Sequence, residues 1–284
     1  MDWREMIASD KERAAQLIGM VDAGERWIFE HPEKNPDLER VVCKMVCAGD
    51  GALHMCVYAG KLHGAIAFKD DLPMQSAAQT EVLIKDLIMR EKREAVLCVR
   101  HENVRLRSVV EAAFGEKADY EAREMSVSKA EFACWKAPQC PADMKIAGYD
   151  SALLTAYLAL LDRAMAHVIA PGTTPFQDKR AYYADEFPIY ASENRFHALW
   201  AGNALAGVCY SWGGELSILA LDAPHRRRGA GYALLHAGLA GAFGNRDGDI
   251  CLYVVDSNPN ALAFYRHIGM RETGHCALYR LACP

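Results

Sequence analysis

Apolar residues recur along this chain in two rhythms, and the changes between them mark out its elements. Alternation at period two runs through LHMCVYAGKLHGAIAF (Leu53 to Phe68) and FHALWAGNALAGVCYSW (Phe196 to Trp212). A glycine-containing turn interrupts each run, which predicts two β-hairpins. A helical rhythm places Leu154, Tyr157, Leu158, Leu161 and Met165 on one face between Ser151 and Val168, the stripe of a helix packed on a core. Strand, glycine turn and helix follow from Glu215 to Phe243, then strand and helix from Cys251 to Ile268, and RETGHCALYRL closes as a last strand or hairpin arm. AVLCVRHENVRLRSVVEAAFG (Ala95 to Gly115) echoes Cys251 to Met270 as a strand, an Asn and an amphipathic helix. A repeat of this size decides a fold, so the chain reads as two similar halves, each a mixed α/β (α+β, mixed-sheet) unit. Lys129 to Lys145 breaks the periodicity and contains Pro138 and Pro141, which remove backbone donors and disfavour helix before them. The expected division is therefore a first domain over 1–130, a linker over 131–143 and a second domain over 144–284.

Composition narrows the function classes. The formal net charge is −5, so no basic surface calls for nucleic acid, while a mild acidic excess is compatible with a cationic substrate. No apolar run approaches the roughly 20 residues that a membrane helix needs. The opening MDWREMIASDKERAAQL is charged and lacks the apolar region of a signal peptide, so a cytoplasmic protein without membrane partners is expected. The ten cysteines are scattered, mostly among apolar neighbours, with no C-x-x-C. Cys43 and Cys47 stand four apart on an expected helix without a matching second pair, so core thiols and no metal site are expected.

Candidate chemistry concentrates in two blocks. In the first, the strand LSILALD runs directly into PHRRRGAGYALL. A helix N-terminus leaves N–H groups unpaired and carries partial positive charge, so it accepts phosphate oxygens. Gly229 and Gly231 remove the Cβ atoms that would hold a pyrophosphate away from those N–H groups, and Arg226, Arg227 and Arg228 add positive charge beside them. In the second block, Asn258 followed by Pro259 suits an N-cap and first helical position, and Ala261, Leu262, Phe264, Tyr265 and Ile268 form a packed face.

Together the blocks resemble the GNAT superfamily of acyl-CoA-dependent N-acyltransferases. Arg226, Gly229 and Gly231 carry its Q/R-x-x-G-x-G/A signature, and Asn258, Ala261, Phe264, Tyr265 and Gly269 carry its N-x-x-A-x-x-F/Y-Y-x-x-x-G pattern. The resemblance covers roughly Ala147 to the C-terminus and implies a tandem GNAT-like fold whose second half uses acetyl-CoA as co-substrate, without a metal. It implies that the pantetheine arm pairs with Leu219, Ala220 and Leu221, that the phosphates meet Arg226 to Arg228, Gly229, Ala230 and Gly231, and that Asn258 lies near the arm. It also implies that the Tyr265 hydroxyl stands by the CoA sulfur as general acid. Glu215, eleven residues before Arg226, matches the base glutamate of some members; alternatively it caps the hairpin in solvent. Asp222 and His225 are weaker candidates, because they fall by the phosphates. The amine acceptor, a small molecule or a peptide, is expected against the segment holding Phe176, Asp178, Tyr182, Tyr183, Asp185, Glu186 and Tyr190, with Phe176, Tyr182, Tyr183 and Asp185 foremost, a segment that surface helix and turn explain equally well. No motif assigns an oligomeric state.

The halves differ in chemistry. Lys69 to Lys92 contains no glycine, and Val110 stands at the place of Tyr265. The first half thus reads as a degenerate copy. The rival to an enzyme is a non-catalytic acyl-CoA-binding or regulatory protein of the same fold, and retention of both Asn258 and Tyr265 favours the enzyme.

Overall fold

The computed structural model describes residues 3–34, 38–46, 49–58, 61–115, 117–168, 174–245 and 247–282. The elements, in chain order, are β1 (Trp3–Glu5), α1 (Lys11–Gly19), α2 (Ala23–Glu30), β2 (Glu39–Val46), β3 (Gly51–Tyr58), β4 (Lys61–Phe68), α3 (Ala77–Glu91), β5 (Ala95–Arg100), α4 (Val104–Phe114) and β6 (Tyr120–Val127). They continue with α5 (Lys129–Ala133), β7 (Met144–Ala147), α6 (Leu154–Met165), α7 (Arg180–Ser192), β8 (Phe196–Ala201), β9 (Ala204–Trp212), β10 (Glu215–Leu221), α8 (Ala230–Gly244), β11 (Ile250–Val255), α9 (Pro259–His267) and β12 (Arg271–Leu281). No helix among the described residues is long and apolar enough to cross a membrane.

The chain folds into two compact units, and these do not follow a simple cut near residue 130. The first comprises 1–125, 254–264 and 272–284, and the second 126–253 and 265–271. In the first unit the strand order is β1-β2-β3-β4-β5-β12-β6. The last strand of the chain inserts antiparallel beside β5, from Cys276 opposite Arg100 to Leu281 opposite Ala95. Ala277, Tyr279 and Leu281 on its buried face pack with Leu53, Ile66, Ile84, Leu97 and Leu106 in this unit's core. β4 and β5 are parallel, joined by the crossover through α3 that a parallel pair requires, and stay in register over five residues from Leu62–Ala95 to Ile66–Val99.

The second unit runs β11-β10-β9-β8-β7, with α6 and α7 on its aromatic core and α8 as the crossover between β10 and β11. The expected stripe holds for Leu154, Tyr157, Leu158 and Leu161, all buried, whereas Met165 is half-buried at the core's margin. The glycine-rich course of α8 is a packing requirement. A Cβ at Gly238 would collide with the Cys209 sulfur of β9, so only glycine lets this helix lie on the strand.

Three expectations need correction. Both hairpins form, but connectivity makes β3–β4 the counterpart of β9–β10, because β4 and β10 each lead into the crossover helix; β8–β9 corresponds to β2–β3. Cys43 lies on β2, not on a helix, and Cys47 is outside the described residues. The expected linker begins as helix α5, held by a capping box in which Ser128 and Glu131 satisfy each other's backbone N–H groups. Phe132 then stacks on Phe243 of α8 at a centroid distance of 5.3 Å and packs at a tilt against His236 at 4.8 Å.

Candidate functional site

β10 is bound unequally on its two edges. Towards β9 it pairs from Glu215–Trp212 to Leu221–Gly207, with one extra residue accommodated between Glu215 and Ile218. Such a bulge bends a strand and increases its local twist. Towards β11 the parallel register consists of one pair, Glu215–Cys251, beside the bond from the Cys251 N–H to the Gly214 carbonyl at 2.9 Å. Leu219, Ala220 and Leu221 therefore have partners on the β9 side and no registered partner on the β11 side. Buried backbone groups need hydrogen-bond partners, so this parted edge is suited to an extended, amide-bearing ligand.

At the far end of β10 the loop turns sharply into α8. Arg227 and Gly229 have φ values of 61° and 81°, the left-handed region. For a residue with a Cβ this costs on the order of 1–3 kcal/mol, a strain typical of ligand-binding turns. Gly229 is the N-cap of α8 without a side-chain cap, leaving the first N–H groups of the helix open to an anion. A Cβ at Gly229 would meet nothing within 4 Å, and one at Gly231 only Leu221 at 3.8 Å, so space lies open beside this turn.

The three arginines do different things. Arg226 folds back, its Nε donating to the Leu221 carbonyl at 3.0 Å and Nη2 to that of Ala164 at 3.5 Å. Arg228 pairs with Asp143 at 2.9 Å. Arg227 is exposed, and no described residue pairs with its guanidinium. Asp222 is committed to Arg163 at 2.6 Å, and the buried His225 Nδ1 has no partner among the described residues.

Asn258 caps α9, its Oδ1 accepting from the Ala261 N–H at 3.2 Å. Tyr265 lies two turns further along the same helix with 7% of its surface exposed. Burial, with a smaller contribution from the Cys209 thiol, pushes its phenol well above the ordinary range, so it holds its proton firmly. Glu215 is half-buried at the closed end of the β10–β11 fork. Six residues of strand, about 20 Å at 3.3 Å per residue, separate it from Leu221.

The expected acceptor segment divides by burial. Phe176 and Tyr183 are in ring contact at 5.7 Å and Tyr182 and Tyr183 at 5.1 Å. Tyr183 itself is buried, hydrogen-bonded to the Tyr210 hydroxyl and packed on Phe187, and belongs to the core. Asp185 is exposed; the carboxylate that reaches the tyrosines is Glu186, hydrogen-bonded to Tyr190. Residues 169–173 lie outside the described residues. Sequence reasoning passed over Asp162, whose carboxylate accepts from the backbone N–H groups of Phe176, at 2.6 Å, and Gln177, at 3.3 Å, anchoring this segment to α6.

The N-terminal counterpart is closed. Where β10 and β11 part, β4 and β5 remain paired. Asn103, at the start of α4, is fully buried and spends its amide on the end of β4 and the turn after it: Oδ1 accepts from the Phe68 N–H at 2.9 Å, and Nδ2 donates to the carbonyls of Phe68 and Asp70, both at 3.1 Å. Val110 is a core residue.

Residues 161–270 match the Acetyltransferase (GNAT) family. No protein of curated function matches the sequence. Among solved structures, a GCN5-related N-acetyltransferase from Sphaerobacter thermophilus aligns with a TM-score of 0.64 at 14% identity, over 98% of this chain and 94% of that one. A GCN5-related N-acetyltransferase from Kribbella flavida gives 0.56 at 14% identity, covering 97% and 96%. A tandem GNAT protein from the clavulanic acid biosynthesis pathway gives 0.52 at 12% identity, covering 98% and 97%. These likenesses extend the GNAT fold over both halves of the chain.

Proposed function

We propose, from the match of residues 161–270 to the Acetyltransferase (GNAT) family, that the chain transfers the acetyl group of acetyl-CoA directly to an amine through its C-terminal half. The observation that carries this reading is the fork: β10 and β11 meet at Glu215–Cys251 and then part, and β10 leads into the uncapped N-terminus of α8. In this reading the pantetheine amides pair with Leu219, Ala220 and Leu221, and the pyrophosphate lies on the N–H groups of Ala230 and Gly231 beside Gly229. Arg227 is the guanidinium that meets the phosphates. Arg226 and Arg228 shape the loop, the one through backbone carbonyls and the other through Asp143.

The chemical step requires a proton to leave the ammonium form of the acceptor and a proton to reach the departing thiolate. The first is given to Glu215, directly or through water, since an amine of pKa about 10 is mostly protonated at neutral pH. The second comes from Tyr265, whose buried phenol is fully protonated at neutral pH and so offers a hydrogen bond, and then its proton, to the departing sulfur. The neutral amine nitrogen attacks the thioester carbonyl, the C–N bond forms and the C–S bond breaks; CoA leaves as the thiol with the Tyr265 proton, and the second proton shed by the new amide nitrogen returns through water to the Tyr265 oxygen. The acceptor site is assigned to Phe176 and Tyr182 on the accessible side of the aromatic core, with Glu186 in place of Asp185 as the carboxylate for a cation. Tyr183 supports it from within the core.

Acetyl transfer to a panel of small amines and lysine peptides, followed by thiol release, tests the activity. Tight CoA binding without turnover on any amine would instead favour the non-catalytic reading, against which the retained Asn258 and Tyr265 argue.

A further inference from the structure

Folding brings together, in the first unit, three residues that no sequence spacing connects. One donor atom each from His101, Glu121 and His275 lies within 4.8 Å of the others. His101 follows β5, Glu121 is on β6 and His275 is on β12, so the cluster sits where the last strand of the chain enters this unit.

The surrounding polar groups prepare the two imidazoles as ligands. His275 is 8% exposed, and its Nε2 is 3.0 Å from Asp256 Oδ2, a bond that places the ring proton on Nε2 and leaves the Nδ1 lone pair available. Asp256 is held in turn by Arg123 at 3.1 Å. The ring of His101 stacks on that of His275 with centroids 3.8 Å apart. His101 Nδ1 faces Glu121 Oε2 at 3.0 Å and Arg107 Nη1 at 3.1 Å. The carboxylate contact needs a proton on that nitrogen and the guanidinium contact needs a lone pair, so no single protonation state satisfies both. A cation bound to Nδ1 and Oε2 removes the conflict: Glu121 Oε1 keeps its bond to Arg107, while Arg107 Nη1 turns to the His101 carbonyl, already 3.4 Å away. An open polar cleft lined by Arg100, Glu102, Glu272, Thr273 and His275 reaches the cluster and supplies a path for the ion and its water. Four carboxylates there (Glu102, Glu121, Asp256, Glu272) outnumber three guanidiniums (Arg100, Arg107, Arg123).

We infer that His101, Glu121 and His275 form a divalent transition-metal site of the zinc class, closed by water from the cleft, which fastens β12 to β5 in the first unit. Two imidazoles and a carboxylate suit zinc, cobalt or nickel and not calcium or magnesium. Metal bonds of about 2.0–2.1 Å require the two stacked rings to splay so that their in-plane lone pairs converge on the ion, and Arg107 Nη1 to withdraw. The expectation of no metal site rested on Cys and His spacing along the sequence, to which this cluster is invisible.

The full chain, stripped with chelator, is titrated with Zn2+ by calorimetry and with Co2+ by visible absorption, and melted with and without Zn2+. One ion per chain and a rise in melting temperature are expected, both lost in His101→Ala and His275→Ala. No uptake by the wild-type chain, or undiminished uptake in the folded histidine variants, overturns the assignment. Should either histidine variant fail to fold, two milder changes decide. Asp256→Asn should weaken binding about 10–100-fold, and Arg107→Gln should tighten it; wild-type affinity in both overturns the site.

Discussion

Arg228 grips Asp143 through one guanidinium nitrogen set 3.0 and 2.9 Å from the two carboxylate oxygens, which in the proposed reading withdraws it from the phosphates at the glycine turn. With Arg226 turned onto backbone carbonyls, Arg227 is the remaining cation. Arg227→Ala should weaken CoA binding about tenfold or more, since a hydrogen bond to a charged group contributes about 1.5–3 kcal/mol, and should flatten its salt dependence. Arg228→Ala should leave affinity nearly unchanged. Calorimetry at two ionic strengths checks this, and equal losses from both variants would contradict the division of labour.

The contrast between the two forks sets the stoichiometry. β4 and β5 pair over five residues and Asn103 fills its hydrogen bonds on β4, so the first half offers no free strand edge to a pantetheine arm. One CoA per chain is expected, and Gly229→Glu, which puts a carboxylate at the left-handed turn, should abolish it. Two comparable sites, or one site surviving Gly229→Glu in a folded variant, would place the cofactor elsewhere.

Much of this arrangement was legible in the chain, and the failures have physical causes. Strand and helix periods marked nearly every element of the second unit, because one face of each is buried. The glycine turn and the Asn258 cap were legible because they rest on local backbone demands. Cys43 was misplaced because the short apolar run VVCKMV suits either period. The linker's first turn carries its signal in the Ser128–Glu131 capping box, but it spans barely one turn and Pro138 and Pro141 beyond it leave no helical period to read. Nothing local could have placed β12 beside β5 or gathered His101, Glu121 and His275, because those are non-local pairings. The separate fates of Arg226, Arg227 and Arg228 likewise depend on Leu221, Ala164 and Asp143, which only the fold brings near.

Glu131 gives a pH test of the region between the halves of the sequence. Its carboxylate is lowered to about 2 by the Ser128 backbone N–H, then the Ser128 hydroxyl, then Arg271. A depressed carboxylate contributes stability that is present above its unfolded value, about 4.3, and is lost as pH falls through the folded value. The melting temperatures of wild type and Glu131→Gln should therefore differ most above pH 5 and converge towards pH 2. A constant difference across that window would assign the effect to something other than ionisation.

Tyr265 is the sharpest test of the chemistry. Tyr265→Phe keeps the ring, and so most of the packing of a residue that is 7% exposed, while removing the only proton it can give. Loss of a general acid lowers turnover by about 10²–10⁴-fold, and CoA affinity should barely change, because the phenol is assigned to the sulfur and not to the phosphates. The sign of its titration also matters. Burial raises this phenol above its ordinary value near 10, so the acid form is present at every lower pH and is lost only as pH rises through the raised value. Turnover should accordingly show no alkaline decline from Tyr265 up to about pH 10. A stability contribution from keeping the phenol neutral should likewise disappear only in stronger base, and should be missing from Tyr265→Phe. Wild-type turnover in the Phe variant would mean that solvent or another donor protonates the thiolate, and would leave Tyr265 as a packing residue against Cys209.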